Sequence, residues 1–117
     1  MLGKQIVAHY GLSTSALDPY AMADAVLLPL EIVPTLGGGD RSPEGSAFEV
    51  AGAEVSSLQR VKGALEVRVF NPQATPATVH LLGRSGSLID LRGQVLRSFE
   101  DEIILEPFTF ATLRISE

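Results

Sequence analysis

The chain contains no cysteine and no tryptophan, and only two histidines, His9 and His80. Without cysteine there is no disulfide framework and no thiolate metal site, so a buried core must supply the stability. Cations are also scarce: nine Lys and Arg stand against fourteen Asp and Glu, a net charge of −5. Nucleic-acid binding needs clustered cations to neutralise phosphates, and these nine are scattered along the chain. Long apolar runs are missing as well. The longest, AVLLPLEIV, is broken by Pro29 and Glu31 and falls short of the roughly 20 residues that span a bilayer. The first ten residues, MLGKQIVAHY, show no apolar stretch followed by a small-residue cleavage site. Neither a membrane nor a nucleic-acid partner is expected, and a cytoplasmic location is.

What is present fits a folded protein. A length of 117 residues with 45% hydrophobic and 20% charged residues allows one domain with a real core. Residues 4–10, KQIVAHY, read as a strand. Asp18 is a suitable helix N-cap, and Pro19 suits the first helical position, where its missing N–H costs nothing. A helix over 19–27 is expected, ended by Pro29, with a short strand PLEIV after it. The stretch 34–46, PTLGGGDRSPEGS, holds four glycines and two prolines and reads as a loop or linker.

From Ala47 the sequence alternates. AFEVAG and AEVSSLQRVK are strand-like, and Lys62-Gly63 suits a tight hairpin turn. Leu65, Val67 and Val69 face one way while Glu66 and Arg68 face the other. NPQATP turns the chain, after which Ala77, Val79 and Leu81 alternate with Thr78 and His80. GRSGS is expected to turn again, LIDL to form a short strand and Arg92-Gly93 to reverse it. EIILEP and FTFATLRIS are the last two strands. Short strands separated by Gly/Pro turns imply an all-β fold: an antiparallel β-sandwich, immunoglobulin-like or related, with one short N-terminal helix. The expected organisation is an N-terminal segment 1–33, a loop 34–46 and sandwich strands 47–117.

Few residues invite chemistry. His9 and His80 lie on different strands with no metal-ligand spacing, and a zinc or iron site needs three or four close ligands. Glu100, Asp101 and Glu102 stand between apolar strands, where a solvated turn is the simpler reading; a calcium loop requires ligands at alternate positions and a glycine bend. The glycine loop lacks the Gly-Lys-Ser/Thr ending and the following helix of a phosphate cradle. It leaves Asp40 and Arg41 as the one pair able to reach a ligand from a loop held by a rigid scaffold. No Gly-x-Ser-x-Gly and no Ser–His–acid arrangement is present, so no catalytic and no metal-ligating residue is assigned. Phe99, Phe108 and Phe110 are expected to be core or sheet-packing residues.

Three stretches in order carry a resemblance: LEVRVFNPQATPATVHL, GSLIDLRGQVL and IILEPFTFATLRIS. They are similar to the C-terminal β-sandwich region of glycoside hydrolase family 38, the α-mannosidases. The elements are Arg68-Val69-Phe70-Asn71-Pro72, Ile89-Asp90-Leu91, and Pro107 through Thr112-Leu113-Arg114. HYGL resembles the end of a preceding sandwich strand, ADAVLLPLEIVP the link from it, and GGGDRSPEGSAFEV the loop and strand that follow. Residues 11–18, GLSTSALD, depart from the family's aromatic- and His-containing stretch.

The resemblance implies a non-catalytic domain or fragment of a retaining α-mannosidase. The zinc ion and the aspartate nucleophile would belong to the parent's α/β domain, with no cofactor in this chain. It implies the parent's catalytic domain as partner, with mannoside substrate reaching Asp40 and Arg41 at the cleft rim. Ile6, Val7, Val26, Leu27 and Leu28 would then be exposed and favour self-association. The competing expectation is a free-standing carbohydrate-binding or adhesion module, whose mark would be an exposed aromatic platform or a calcium site.

Overall fold

The computed structural model describes residues 3–15 and 18–116. Met1, Leu2, Ala16, Leu17 and Glu117, at the edges of the expected N-terminal segment, its departure from the family pattern and the last strand, lie outside them. The chain divides into two compact units, Met1–Arg41 and Ser42–Glu117.

The first unit has one regular element, helix α1, Pro19–Leu27. It starts where Asp18 accepts a hydrogen bond from the Tyr20 N–H at 3.0 Å, and Pro19 fills the position whose N–H needs no partner. It stops at Leu28, which takes an extended conformation before Pro29. None of its side chains is buried. The strands expected at 4–10 and in PLEIV do not form. A strand exists only through a ladder partner for its N–H and C=O groups, and these stretches find none.

The second unit is all-β. Strands β1 (Glu54–Val61), β2 (Ala64–Phe70), β3 (Ala77–Ile89), β4 (Val95–Leu105) and β5 (Phe110–Ile115) form one antiparallel sheet in the order β1-β2-β5-β3-β4. Lys62 and Gly63 close the first hairpin with φ of 50° and 87°, the positive pair a two-residue hairpin requires. AFEVAG forms no strand; it contributes a single bridge, in which Ala51 and His80 exchange backbone hydrogen bonds. At Gly52, φ of 88° takes the chain out of extended geometry.

The largest departure from the alternation is in β3. GRSGS does not turn; it continues one 13-residue strand through a bulge. His80 pairs with Glu102 and Ser85 with Glu100, so four residues of β3 stand opposite Asp101 alone. Gly83 (φ 68°) and Asp101 (φ 59°) absorb the mismatch, and the Gly83 N–H donates to Asp101 Oδ1 at 2.9 Å. Glu100–Glu102 therefore lie inside β4 rather than in a turn. Ladder partners on both sides at Gly86 and Ser87, and on β4 at Ser85, hold β3 extended where its Gly/Ser content favours reversal. LIDL splits between the end of β3 and the turn that follows, and β4 begins at Val95, well before EIILEP.

The core draws on four strands. In register, Leu65 pairs with Ile115, Val67 with Leu113 and Val69 with Ala111, which puts these residues on one face of β2–β5. Val79, Leu81, Phe99, Ile103 and Leu105 join the same buried cluster. Phe99 is 8% exposed and belongs to it, whereas Phe108 and Phe110 are 65% and 54% exposed and do not. Phe110 sits on the opposite face of the sheet, because its neighbours Ala111 and Leu113 already face the core.

Candidate functional site

The side chains that alternate with the core line an outer face. There the β2–β5 register places Glu66 opposite Arg114, Arg68 opposite Thr112 and Phe70 opposite Phe110. Arg114 donates from both Nε and Nη2 to Glu66 Oε1, at 3.0 and 2.9 Å. The Glu66 side chain is 9% exposed and that of Arg114 35%, so the pair is largely withdrawn from water and each partner fixes the other. Arg68 has no such carboxylate. Its Nε donates to Thr112 Oγ1 at 3.2 Å, and its guanidinium lies 5.7 Å from the centre of the Phe110 ring. Both terminal nitrogens of Arg68 are left without a partner among the described residues.

A concavity of about 610 Å³ opens over this face. One wall is the turn Asp90–Gln94. Asp90 Oδ1 accepts from the Arg92 and Gln94 N–H groups at 2.8 Å each, and Gly93 takes φ of 81°. This turn rests on the floor: a Cβ built on Gly93 would lie 3.3 Å from Arg114 Nη2. The other wall comes from Gln59 and Lys62 at the β1–β2 hairpin. The result is a polar, charge-bearing hollow on a rigid sheet, equipped to bind and orient a ligand through hydrogen bonds.

The residues singled out from sequence lie elsewhere. Asp40 and Arg41 are exposed, at the end of the first unit, with no hydrogen bond or ion pair to another described residue. His9 is exposed. His80, which has no His-carboxylate spacing in the sequence, faces Glu102 across the β3–β4 ladder, with Nδ1 3.6 Å from Oε2, an ion pair when the imidazole is protonated. Cross-strand pairing joins two residues far apart in sequence, which spacing cannot reveal. No group of three or more His, Asp or Glu placed to hold a metal ion occurs among the described residues. Nor is any helix among them long and apolar enough to cross a membrane. The period-two pattern had separated Glu66 and Arg68 from the core, but nothing local marked them as a site.

Comparison with protein-family models, with curated proteins and with solved structures returned no match.

Proposed function

We propose that this chain is a non-catalytic β-sandwich body of an α-mannosidase-type glycoside hydrolase, packing against the parent's catalytic domain and supporting it. The observation that carries the reading is the surface of the first unit. Ile6, Leu12, Leu30, Ile32 and Leu36 are each at least 89% exposed. Burying such a side chain contributes about 1.5–3 kcal/mol, so five left in water mark a surface built to be covered. Val7, Val26, Leu27 and Leu28 extend it, with exposures of 45% to 66%.

The β3–β4 hairpin supports the sandwich reading. Only Gly86–Ile89 pair with β5. The far half, with Val79, Leu81, Ile103 and Leu105, nonetheless shares the core of Val67, Val69 and Leu113. In this reading that half forms the second layer. Zinc and the nucleophile are the parent's, the cytoplasm is the compartment, and Asp40 and Arg41 sit at the rim of the parent's cleft near the mannoside.

Two measurements test it. The coding sequence adjoining this one is expected to carry a zinc-binding α/β hydrolase domain; a frame encoding no hydrolase overturns the assignment. In sedimentation velocity the isolated chain is expected to self-associate as concentration rises, and Leu30→Ser with Ile32→Ser to shift it toward monomer. A clean monomer of the unmodified chain at high concentration would show that the apolar surface needs no cover. The same preparation is expected to leave an aryl α-mannoside intact, with or without added zinc. Turnover above a heat-killed control would count against a non-catalytic role.

A further inference from the structure

We infer that the outer-face concavity binds a small hydroxylated carboxylate, a sugar acid or hydroxy acid, with Arg68 as the residue that takes the carboxylate. The site lies wholly within the strand body and is independent of any catalytic partner.

Charge points to an anion. The chain carries nine Lys and Arg against fourteen Asp and Glu. Four of the nine, Lys62, Arg68, Arg92 and Arg114, line this one hollow, with only two of the fourteen acids, Glu66 and Asp90. A cationic hollow in an acidic protein concentrates anions from solution. Both acids are engaged: Glu66 Oε1 by Arg114, and Asp90 Oδ1 by the N–H groups of its own turn. Lys62, Arg68 and Arg92 have no carboxylate partner among the described residues. With four cations against two acids, the lining keeps a formal charge of +2.

The geometry points to a carboxylate. Arg114 and Arg68 occupy the same outer face on adjoining register positions, and one already holds a carboxylate at 2.9 Å. Arg68 is its counterpart without one. Its Nε is held by Thr112 and its plane lies near Phe110, which positions the free terminal pair as a donor fork. Little ordering remains to be done when a ligand arrives.

The remaining lining selects for hydroxyls. Gln59 and Gln94 line the same hollow, and a glutamine amide can both donate and accept. A volume of about 610 Å³ falls within the range of small-molecule sites.

Titration of the ¹⁵N-labelled full chain, followed by amide shifts and calorimetry, tests this with four probes: glucuronate, glucose, acetate and inorganic phosphate. Glucuronate is expected to saturate, moving amides in 59–68, 89–94 and 112–114, and to bind at least about tenfold tighter than glucose or acetate. Arg68→Gln is expected to weaken it by about tenfold or more, and Lys62→Gln with Arg92→Gln severalfold, while Arg97→Gln on β4 leaves it unchanged. The exposed Lys62/Arg92 pair serves as the readout should Arg68→Gln lower the melting temperature. No saturation, equal binding of glucose, shifts confined to other residues, or indifference to these substitutions overturns the site. Phosphate binding as tightly as glucuronate overturns the carboxylate assignment.

Discussion

Asn71→Ala is expected to destabilise the strand body by on the order of 3 kcal/mol, with Tm falling by roughly 10–20 °C. Asn71 is fully buried, yet every polar atom of its side chain is used. Nδ2 donates to the carbonyl oxygens of Thr75 at 2.8 Å, Glu106 at 3.1 Å and Leu105 at 3.3 Å, and Oδ1 accepts from the Gln73 N–H at 3.0 Å. One amide thus ties the 71–76 turn to the end of β4 and the connection to β5. Alanine removes this donor from the buried Leu105 carbonyl and from the part-buried Thr75 and Glu106 carbonyls, and the acceptor from the Gln73 N–H; Glu106 keeps Thr109 as a donor, and an unmet buried group costs about 1–3 kcal/mol. Asn71→Asp discriminates between a packing role and this one. It keeps the volume and the accepting oxygen but points a second acceptor at three carbonyls, and is expected to cost as much as alanine or more. Thermal and urea unfolding measure both. A neutral Asn71→Asp, or an Asn71→Ala loss below about 1 kcal/mol, would mean that the network does not anchor the turn.

Gly86→Ala is expected to abolish cooperative folding or to cost more than about 4 kcal/mol, the exceptional end of single substitutions. A Cβ at Gly86 would overlap the carbonyl oxygen of Arg114, with the Arg114 carbonyl carbon at 3.0 Å and Ile115 Cα at 3.1 Å. These are backbone atoms of β5, which is held on its other side by β2, so they cannot withdraw without opening that ladder. The contact also falls where β3 joins the sheet. Four register pairs, Gly86–Ile89 with Ile115–Thr112, are the whole β3–β5 ladder. Gly83→Ala is the control. Gly83 has φ of 68° and nothing within 4 Å of a built Cβ, so only backbone strain of about 1–2 kcal/mol applies. Comparable losses for the two substitutions in urea unfolding would remove the claim that close approach at Gly86 holds the hairpin.

Much of the strand body was legible as sequence. Leu65, Val67 and Val69 alternate with Glu66 and Arg68, and that period defined β2 and both its faces. Lys62-Gly63 marked the first hairpin, and Asp18, Pro19 and Pro29 bounded α1, because caps and prolines act on their own backbone. Alternation does not say which strands become neighbours, nor which side of a residue is covered. KQIVAHY has strand-like residues and no partner, so it forms no strand. Phe108 and Phe110 have core-like side chains and face solvent.

The outer-face hollow was illegible for the same reason. Arg68 meets Thr112 across 44 residues, and Glu66 meets Arg114 across 48. Asp40 and Arg41 attracted notice because a glycine loop is a local signal. Local conformation is written in each residue's backbone preference and in its neighbours two to four positions away, and those parts of the protein were determined by sequence alone. The order β1-β2-β5-β3-β4, the unbroken run of β3 through its glycines, and the cations gathered over the β2–β5 face were decided by tertiary structure. Each depends on hydrogen-bond partners and buried neighbours that only the closed sheet supplies.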